Sequence, residues 1–272
     1  MALRIGILLK QVPLQLKAGA DGLMDRSGAS QINPYCKHAL EEAIKLKEQH
    51  PGSTITIFTM GPPNFEQSLR KAIAMGADEG VLLSDRKLAG SDTMATAKAL
   101  AGVIQAYLRD TGTQLDLLFA GLQTVDGDTA HVGPQVAERL GFNQATYVAL
   151  VKGVKNNAIT VRRLIEGGTQ TLELPLPAML SVTNTANTPR GPYLRGAMIA
   201  KRVNMKVYSL DDTGVDAGEV GLNGSPTVVS KVKNVTSTRT LTKFDGKAAD
   251  QISGFVKASQ EMTAAEAAGE ET

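Results

Sequence analysis

The sequence predicts an α/β fold built on a mostly parallel sheet, and three observations lead to this prediction. Apolar runs of strand length alternate with helix-length segments over residues 1–150. The chain has 272 residues, which is long enough to bury a sizeable core. Hydrophobic residues make up 42% of the chain and charged residues 21%, close to the values of ordinary globular domains.

The first half of the chain contains four strand-like and four helix-like segments in alternation. The strand-like segments are apolar or β-branched, as buried parallel strands are. They are Arg4 to Lys10, Ser53 to Met60, Val81 to Ser84 and Leu115 to Gly121. The helix-like segments carry typical start or stop residues. The first begins at Asn33-Pro34, the second runs from Phe65 to Met75 before Gly76, the third follows Asp92, and the fourth runs from Thr129 to Leu140.

The pattern changes after Ala145, where four β-like runs follow one another. The runs are YVALV, AITVRRLI, QTLEL and AMLSV, and we expect antiparallel strands that finish the same sheet or lie beside it. Beyond Val182 the helical rhythm stops, and Gly, Pro, Asn and Thr predominate. A segment this long without secondary structure is unusual inside a domain, so it predicts an arm lying on another surface. The expected organisation is an α/β domain over 1–183, an arm over 184–230, and a C-terminal segment over 231–272 with a short helix near Gly246 to Ser259 and a frayed acidic tail.

Charge and cysteine content exclude several classes of function. The net charge is +2, from 29 basic and 27 acidic side chains, too balanced to suggest a nucleic-acid or membrane-surface partner. A single cysteine, Cys36, excludes an internal disulfide, a multi-cysteine zinc site and an iron–sulfur cluster. No apolar run is long enough for a membrane span, and MALRIGILLK lacks the features of a secretory signal. We therefore expect a cytoplasmic protein.

Candidate ligand-binding residues follow the predicted strands, at the edge where open parallel sheets bind ligands. After the first three strands they are Leu9, Lys10, Thr59, Met60, Gly61, Asp92 and Thr93. After the fourth strand they are Gly121, Asp126, Gly127, Asp128, Thr129, Ala130, His131 and Val132.

The loop after the fourth strand carries most of the argument for a nucleotide. Gly121, Gly127 and Gly133 would let backbone N–H groups approach a ligand closely, and the next helix start would offer unpaired N–H donors to a diphosphate. Asp126 and Asp128 would repel a phosphate, so we expect them to cap the helix or turn, or to bind ligand hydroxyls. Taken alone, such a loop is as often structural as functional.

Other chemistries lack their residues. The chain has no G-x-x-x-x-G-K-[ST] motif, no Ser-His-Asp or Cys-His arrangement and no cluster of metal ligands. We interpret His38, His131 and Cys36 as packing or capping residues, and expect no catalytic residue.

A set of short motifs occurs in a characteristic order and spacing. They are Asn33-Pro34-Tyr35, Ala39-Leu40-Glu41-Glu42-Ala43, Ala74-Met75-Gly76-Ala77-Asp78, Ser91-Asp92-Thr93 with Ala95-Thr96, Asp126-Gly127-Asp128-Thr129, Leu176-Pro177-Ala178, and Asn187-Thr188-Pro189-Arg190 leading to Met198-Ile199-Ala200-Lys201. Together they resemble the beta subunit of electron transfer flavoproteins, from residue 1 to about residue 230. The resemblance adds Asn33 and Thr96 to the cofactor-binding residues.

This resemblance implies a Rossmann-like, adenine nucleotide hydrolase-like domain and an arm that embraces an alpha subunit carrying FAD. It leaves two cofactors open for this subunit. The stretch from Asp126 to Pro134, Met60-Gly61-Pro62-Pro63 and Gly224-Ser225-Pro226-Thr227 resemble electron-bifurcating members, which hold a second FAD and use NADH, ferredoxin or flavodoxin, and an acyl-CoA dehydrogenase. The alternative is a structural AMP in a carrier that passes electrons from acyl-CoA dehydrogenases to a quinone reductase. His131 departs from the glutamine common in bifurcating members.

The same resemblance implies a partner-binding segment between Pro189 and Ala200. Tyr193 and Leu194 would be its apolar anchors, and Arg195 would begin a basic rim with Lys201 and Arg202. A plain loop-to-helix junction is the alternative.

Two other classes of adenine-nucleotide protein fit less well. ATP-using enzymes of related folds usually have a Ser-Gly-Gly-x-Asp-type loop after the first strand, whereas this chain has Lys10-Gln11-Val12-Pro13. A universal-stress-type nucleotide sensor would be a homodimer without the long segment after Val182.

Overall fold

The computed structural model describes residues 1–15, 28–230 and 241–269, with side chains described up to Glu261. Met1–Val232 forms one compact unit and Lys233–Thr272 a second. Within the described residues, no helix is both long enough and apolar enough to cross a membrane.

The first unit is built on a nine-stranded sheet. Its strands are β1 (Arg4–Leu8), β4 (Thr54–Met60), β5 (Glu79–Leu83), β6 (Leu117–Gly121), β7 (Asn143–Lys155), β8 (Ala158–Ile165), β9 (Gly168–Pro175), β10 (Ala178–Val182) and β11 (Lys206–Tyr208). Their order across the sheet is β11-β5-β4-β1-β6-β10-β7-β8-β9. All pairs from β11 to β7 are parallel, and the β7-β8-β9 end is antiparallel. Two short strands, β2 (Gln11–Pro13) and β3 (Ser30–Ile32), pair separately.

Helices pack on both faces of this sheet. In the described residues, the helices of the first unit are α1 (Pro34–Gln49), α2 (Glu66–Met75), α3 (Thr93–Thr111), α4 (Val132–Leu140) and α5 (Leu194–Arg202), and α6 (Ala248–Gly269) lies in the second unit. One buried cluster joins the sheet to α1 and α2, and another joins it to α3 and α4. Alternate strand residues point to opposite faces, so Ile57 belongs to the first cluster and Phe58 to the second. The predicted α/β class and its parallel sheet are confirmed.

The position of β10 corrects one expectation. The run AMLSV was expected to be antiparallel, but β10 lies between β6 and β7 and is parallel to both. All five of its residues are buried. A strand covered on both faces reads as a continuous apolar run, which is typical of a parallel strand. The other three runs finish the same sheet: β8 and β9 are antiparallel as expected, and β7 is antiparallel to β8 but parallel to β10.

Residues 184–230 contain more regular structure than expected. The prediction that helices stop after Val182 is wrong, because α5 forms at Leu194 and β11 extends the sheet beside β5. Tertiary packing stabilises α5: a Cβ on Gly196 would lie 2.4 Å from the Ala74 carbonyl oxygen, and the Tyr193 N–H donates to that oxygen at 3.1 Å. Binding of residues 184–230 to another protein stays a prediction.

The second unit is described from residue 241 to 269. The predicted short helix is present as α6, and it continues to Gly269 where a frayed tail was expected. Phe244 packs edge-on against Phe255 with ring centroids 6.4 Å apart. Residues 270–272 lie outside the described part.

Candidate functional site

The candidate site lies where β1, β4 and β6 end, at the carboxyl edge of the parallel strands. There the loop of residues 122–131 joins β6 to α4. Open parallel sheets bind their ligands at this edge. Several long-range contacts hold the loop in place.

Asn33 is the main support of this loop. Its side chain is fully buried, and its Nδ2 donates to the Gln123 carbonyl at 2.8 Å while its Oδ1 accepts the Val125 N–H at 3.2 Å. Its own N–H donates to the Lys10 carbonyl at 2.9 Å. Both ends of the amide are therefore used within the chain, so the side chain positions the loop from behind.

Lys10 connects the end of β1 to the same loop. Its Nζ lies 2.9 Å from Asp126 Oδ1 and 3.5 Å from Thr124 Oγ1. The Asp126 side chain is fully shielded from solvent, whereas that of Lys10 is 42% exposed. A buried carboxylate needs a counter-charge and hydrogen bonds, and Lys10 supplies a charge. This ion pair offsets the repulsion that Asp126 would exert on a nearby phosphate.

The three glycines of this region have different reasons for lacking a side chain. A Cβ on Gly121 would lie 2.7 Å from the backbone of Tyr35 and Cys36, and one on Gly133 would lie 3.1 Å from Ala120 Cβ. Packing within the chain therefore requires the first and restricts the second. A Cβ on Gly127 would meet no described atom closer than Thr124 Oγ1 at 3.6 Å, and its φ is not left-handed. Of the three, only Gly127 borders open space.

Two residues after Gly127 adopt an uncommon backbone conformation. Asp128 has φ 54° and Ala130 has φ 56°, in the left-handed region that non-glycine residues seldom occupy. Asp128 Oδ1 accepts a hydrogen bond from Gln123 Nε2 at 2.6 Å, and its N–H donates to the Thr124 carbonyl at 2.8 Å. Such strain persists only where surrounding contacts enforce it, and it is concentrated at functional sites.

The start of α4 corrects a second expectation. The helix was predicted from about Thr129, with Asp126 and Asp128 expected to cap it or a turn or to bind ligand hydroxyls, but it begins at Val132 and no side chain caps it. Asp128 instead accepts from Gln123, because the left-handed residues delay the helix. The first turn carries no acidic residue, and His131 occupies the cap position. Uncapped N–H groups with a positive dipole end suit an anionic ligand.

Asp92 caps α3 and also holds a distant segment. Its Oδ1 accepts the Ala95 N–H at 3.0 Å, and its Oδ2 accepts the Thr227 N–H at 3.0 Å and the Thr227 hydroxyl at 2.8 Å. Its N–H donates to Ser225 Oγ at 2.8 Å. Burial acts to raise the pKa of Asp92, but these hydrogen bonds outweigh it and lower the pKa. Thr93 and Thr96 lie in the first turn of α3 and are partly exposed.

The end of β4 places its predicted residues on two faces. Thr59 is buried, and its Oγ1 has no hydrogen-bond partner among the described residues. Alternation puts Thr59 on the same face as Ile57, towards α1 and α2, whereas Met60 packs against the α3 and α4 cluster. Gly61 is required by packing, because a Cβ there would lie 2.3 Å from the Phe65 ring. Leu9 is buried as well, so it offers no exposed surface.

This arrangement fits a nucleotide better than a catalytic centre. Among the described residues, no group of histidine, cysteine or carboxylate side chains could hold a metal. Burial raises the pKa of the Cys36 thiol, which keeps it a neutral packing residue. The open space at Gly127, the uncapped start of α4 and the neutralised Asp126 together suit a ligand carrying phosphates.

The predicted partner-binding segment is exposed in the structure. Tyr193 is 47% exposed and Leu194 81%, and both lie at the start of α5 with the exposed Arg195. Met198 and Ile199, which lie inside the predicted segment but were not named as anchors, are also exposed. Met198 could have been indicated by its spacing of four residues from Leu194, because residues four apart share a helix face. We call these apolar residues of α5, with Tyr193, the docking helix surface.

Comparison with known proteins identifies relatives along most of the chain. The family described as electron transfer flavoprotein domain matches residues 21–213. The chain is 39% identical over 260 residues to the electron transfer flavoprotein subunit beta of Thermoanaerobacterium thermosaccharolyticum, covering 94% of this chain and 97% of that protein. It is 42% identical over 233 residues to Protein FixA of Azotobacter vinelandii, covering 83% and 82%. It is 40% identical over 233 residues to the electron transfer flavoprotein subunit beta of Clostridium acetobutylicum, covering 84% and 87%.

Proposed function

Since this chain belongs to the electron transfer flavoprotein family and is homologous to its beta subunits, we propose that it holds FAD at the carboxyl edge of its sheet and takes part in flavin-based electron bifurcation. Its alpha subunit is the partner that this family implies. The further partners that we propose are NADH, ferredoxin or flavodoxin, and an acyl-CoA dehydrogenase.

Gly127 is the observation that carries the choice of FAD. Packing within the described chain does not require a glycine there, in contrast to Gly121. The absent side chain leaves room beside the loop for a ligand to pass. A dinucleotide needs that passage for its second half, whereas AMP ends at its single phosphate. Glycine at this position therefore favours the larger cofactor.

The residues of this chain would bind and orient the cofactor without acid–base chemistry of their own. The first N–H groups of α4 would face its phosphates, and Thr93 and Thr96 would contribute hydroxyls from the start of α3. Asn33 and Lys10 would keep the loop in its binding conformation. When bound, the flavin supplies the hydride and single-electron chemistry, and the protein sets its environment.

His131 is the observation that favours the alternative, a structural AMP. It stands at the cap position of α4, where the bifurcating members that this chain resembles commonly have glutamine. In that case the subunit would carry electrons from acyl-CoA dehydrogenases to a quinone reductase, with FAD held by the alpha subunit alone.

Cofactor extraction distinguishes the two proposals. The chain is produced together with its alpha subunit, and the nucleotides released from the purified complex are separated and counted. Two FAD for each complex is the result we expect. One FAD with one AMP would replace our proposal by the alternative, and a complex free of any adenine nucleotide would refute both.

A further inference from the structure

A polar stripe on α1 holds the segment that leads into α5. The stripe consists of His38, Glu41, Glu42, Lys45 and Glu48, which lie one or three residues apart along one side of the helix. Residues 187–190 lie against it through side-chain contacts.

Arg190 makes the densest set of contacts in this region. Its Nε lies 3.0 Å from Glu41 Oε2, and its Nη2 lies 3.0 Å from Glu41 Oε1. Its Nη1 reaches Glu48 Oε1 at 2.5 Å, and its backbone N–H donates to Glu41 Oε2 at 3.0 Å. The planar guanidinium therefore joins two carboxylates in a fixed geometry, which an ammonium group could not reproduce.

Asn187 adds a second attachment three residues earlier. Its Nδ2 donates to the His38 carbonyl and to Glu42 Oε1, both at 2.9 Å. Its Oδ1 lies 3.0 Å from His38 Nδ1. The segment is thus attached to α1 at two points.

Burial distinguishes this attachment from an ordinary surface ion pair. The side chain of Glu41 is only 5% exposed, whereas that of Glu48 is 56% exposed. Hydrogen bonds from Arg190 lower the pKa of Glu48 and keep it ionised. Removing Arg190 would leave the Glu41 carboxylate buried without its cation, which is far more disruptive than breaking an exposed pair.

Both ends of α1 contact regions of proposed function. Its first turn packs against Gly121, where a Cβ would lie 2.7 Å from the Tyr35 and Cys36 backbone. Gly121 belongs to the carboxyl edge of the parallel strands where we propose that the cofactor binds, and we call this edge the nucleotide edge. Farther along the helix, Arg190 binds at Glu41 and Glu48, and α5 begins four residues after Arg190. A straight helix does not change length, so α1 sets the separation between the two regions.

We propose that Arg190 is a positioning residue, which fixes the docking helix surface relative to the nucleotide edge through α1. This inference rests on the proposed function, because it requires that α5 binds the acyl-CoA dehydrogenase. The contacts of Arg190 with Glu41 and Glu48 would hold α5 at one place relative to the nucleotide edge while the dehydrogenase is bound.

The test compares variants of the purified complex with the alpha subunit, using an acyl-CoA dehydrogenase of the same organism as the probe. We expect Arg190→Gln to raise the KM for the dehydrogenase about tenfold, while flavin and nucleotide content stay unchanged. Arg190→Lys keeps the charge but reaches one carboxylate at a time, so its KM should lie between that of the parent protein and that of Arg190→Gln. Arg109→Gln, which alters an exposed arginine at the end of α3, should leave KM unchanged.

Hydrogen exchange provides the readout that a general loss of stability would not give. In Arg190→Gln we expect faster exchange of the amides of 194–202 and unchanged exchange in 132–140. Equal acceleration in both helices, or unchanged exchange in 194–202 with an unchanged KM, would overturn the proposal.

Leu194→Ala separates this proposal from the proposed function on which it rests. If Leu194→Ala leaves KM unchanged, the docking assignment of α5 is wrong. If it raises KM while Arg190→Gln does not, docking stands and the positioning role of Arg190 is wrong.

Discussion

The nucleotide edge and the docking helix surface present opposite kinds of group. At the nucleotide edge, the polar side chains of Asn33 and Asp126 are buried beneath the loop. What faces open space there is backbone beside Gly127. On α5 the backbone is enclosed, with Gly196 against Ala74, and apolar side chains such as Leu194 project outward.

This contrast teaches where each region is sensitive. A backbone-lined site depends on the residues behind it, so its ligand is lost when supports or glycines change. A side-chain surface depends on what projects from it, so its partner is lost when single exposed residues are truncated. The two regions should therefore respond differently to substitution.

The two glycines of the loop should respond differently to alanine. Gly121→Ala should destabilise the protein by about 3 kcal/mol, because its Cβ would collide with the backbone of α1. Gly127→Ala should change stability by less than about 1 kcal/mol, because its Cβ would meet only Thr124 Oγ1 at an ordinary 3.6 Å, but it should lower nucleotide content by filling the room proposed for the ligand. Denaturant unfolding and cofactor extraction measure the two effects. Unaltered nucleotide content in Gly127→Ala would remove the argument for FAD.

Asn33→Ala should affect both stability and the ligand. It removes both Asn33 hydrogen bonds to the loop and leaves the Gln123 carbonyl and Val125 N–H without these partners, at a cost of about 2 kcal/mol. Nucleotide content should fall because the loop loses its position. Asn143→Ala, which removes one exposed hydrogen bond to the Pro175 carbonyl, is the matched control and should leave nucleotide content intact. If both variants retain full nucleotide content, Asn33 does not position the site.

Leu194→Ala should act on the partner alone. An 81% exposed side chain contributes little to folding, so the free energy of unfolding should change by less than about 0.5 kcal/mol. Reduction of the dehydrogenase should become about tenfold less efficient in kcat/KM, with flavin content unchanged. Val207→Ala, at an exposed apolar residue of β11, serves as the control. Equal losses in the two variants would show that this assay does not report docking.

Asp92 should contribute least to the free energy of unfolding, and its contribution should depend on pH. Its pKa is lowered in the folded protein, so its stabilising effect is present above the unfolded aspartate pKa of about 3.9 and is lost as pH falls through the lower folded value. Asp92→Asn should cost about 1 kcal/mol at pH 7, because a neutral amide accepts the Ala95 and Thr227 hydrogen bonds more weakly than a carboxylate, and less in acid. Unfolding measured at pH 7 and pH 3 tests this; a difference between variant and parent that does not shrink in acid would contradict it.

The local sequence pattern was enough to predict most of the fold, but it predicted less of the site. Apolar runs and capping residues located the strands and helices of the first half, because such signals lie within a few residues of the element they specify. The β10 run is short and apolar except for Ser181, so the sequence did not show whether its neighbours would be parallel. Met198 and Ile199 lay within the predicted segment, but the sequence did not show which of its side chains would be exposed.

By itself, the sequence determined the α/β class, the family and the loops that meet at the carboxyl edge. The tertiary structure alone decided that Gly121 serves packing while Gly127 borders open space, and that Asn33 and Arg190 support other segments. These roles depend on contacts such as Asn33 with Gln123 and Arg190 with Glu41, between residues 90 and 149 positions apart. Periodicity specifies local conformation through neighbouring residues, whereas a contact across such separations exists only once the whole sheet and its helices have packed.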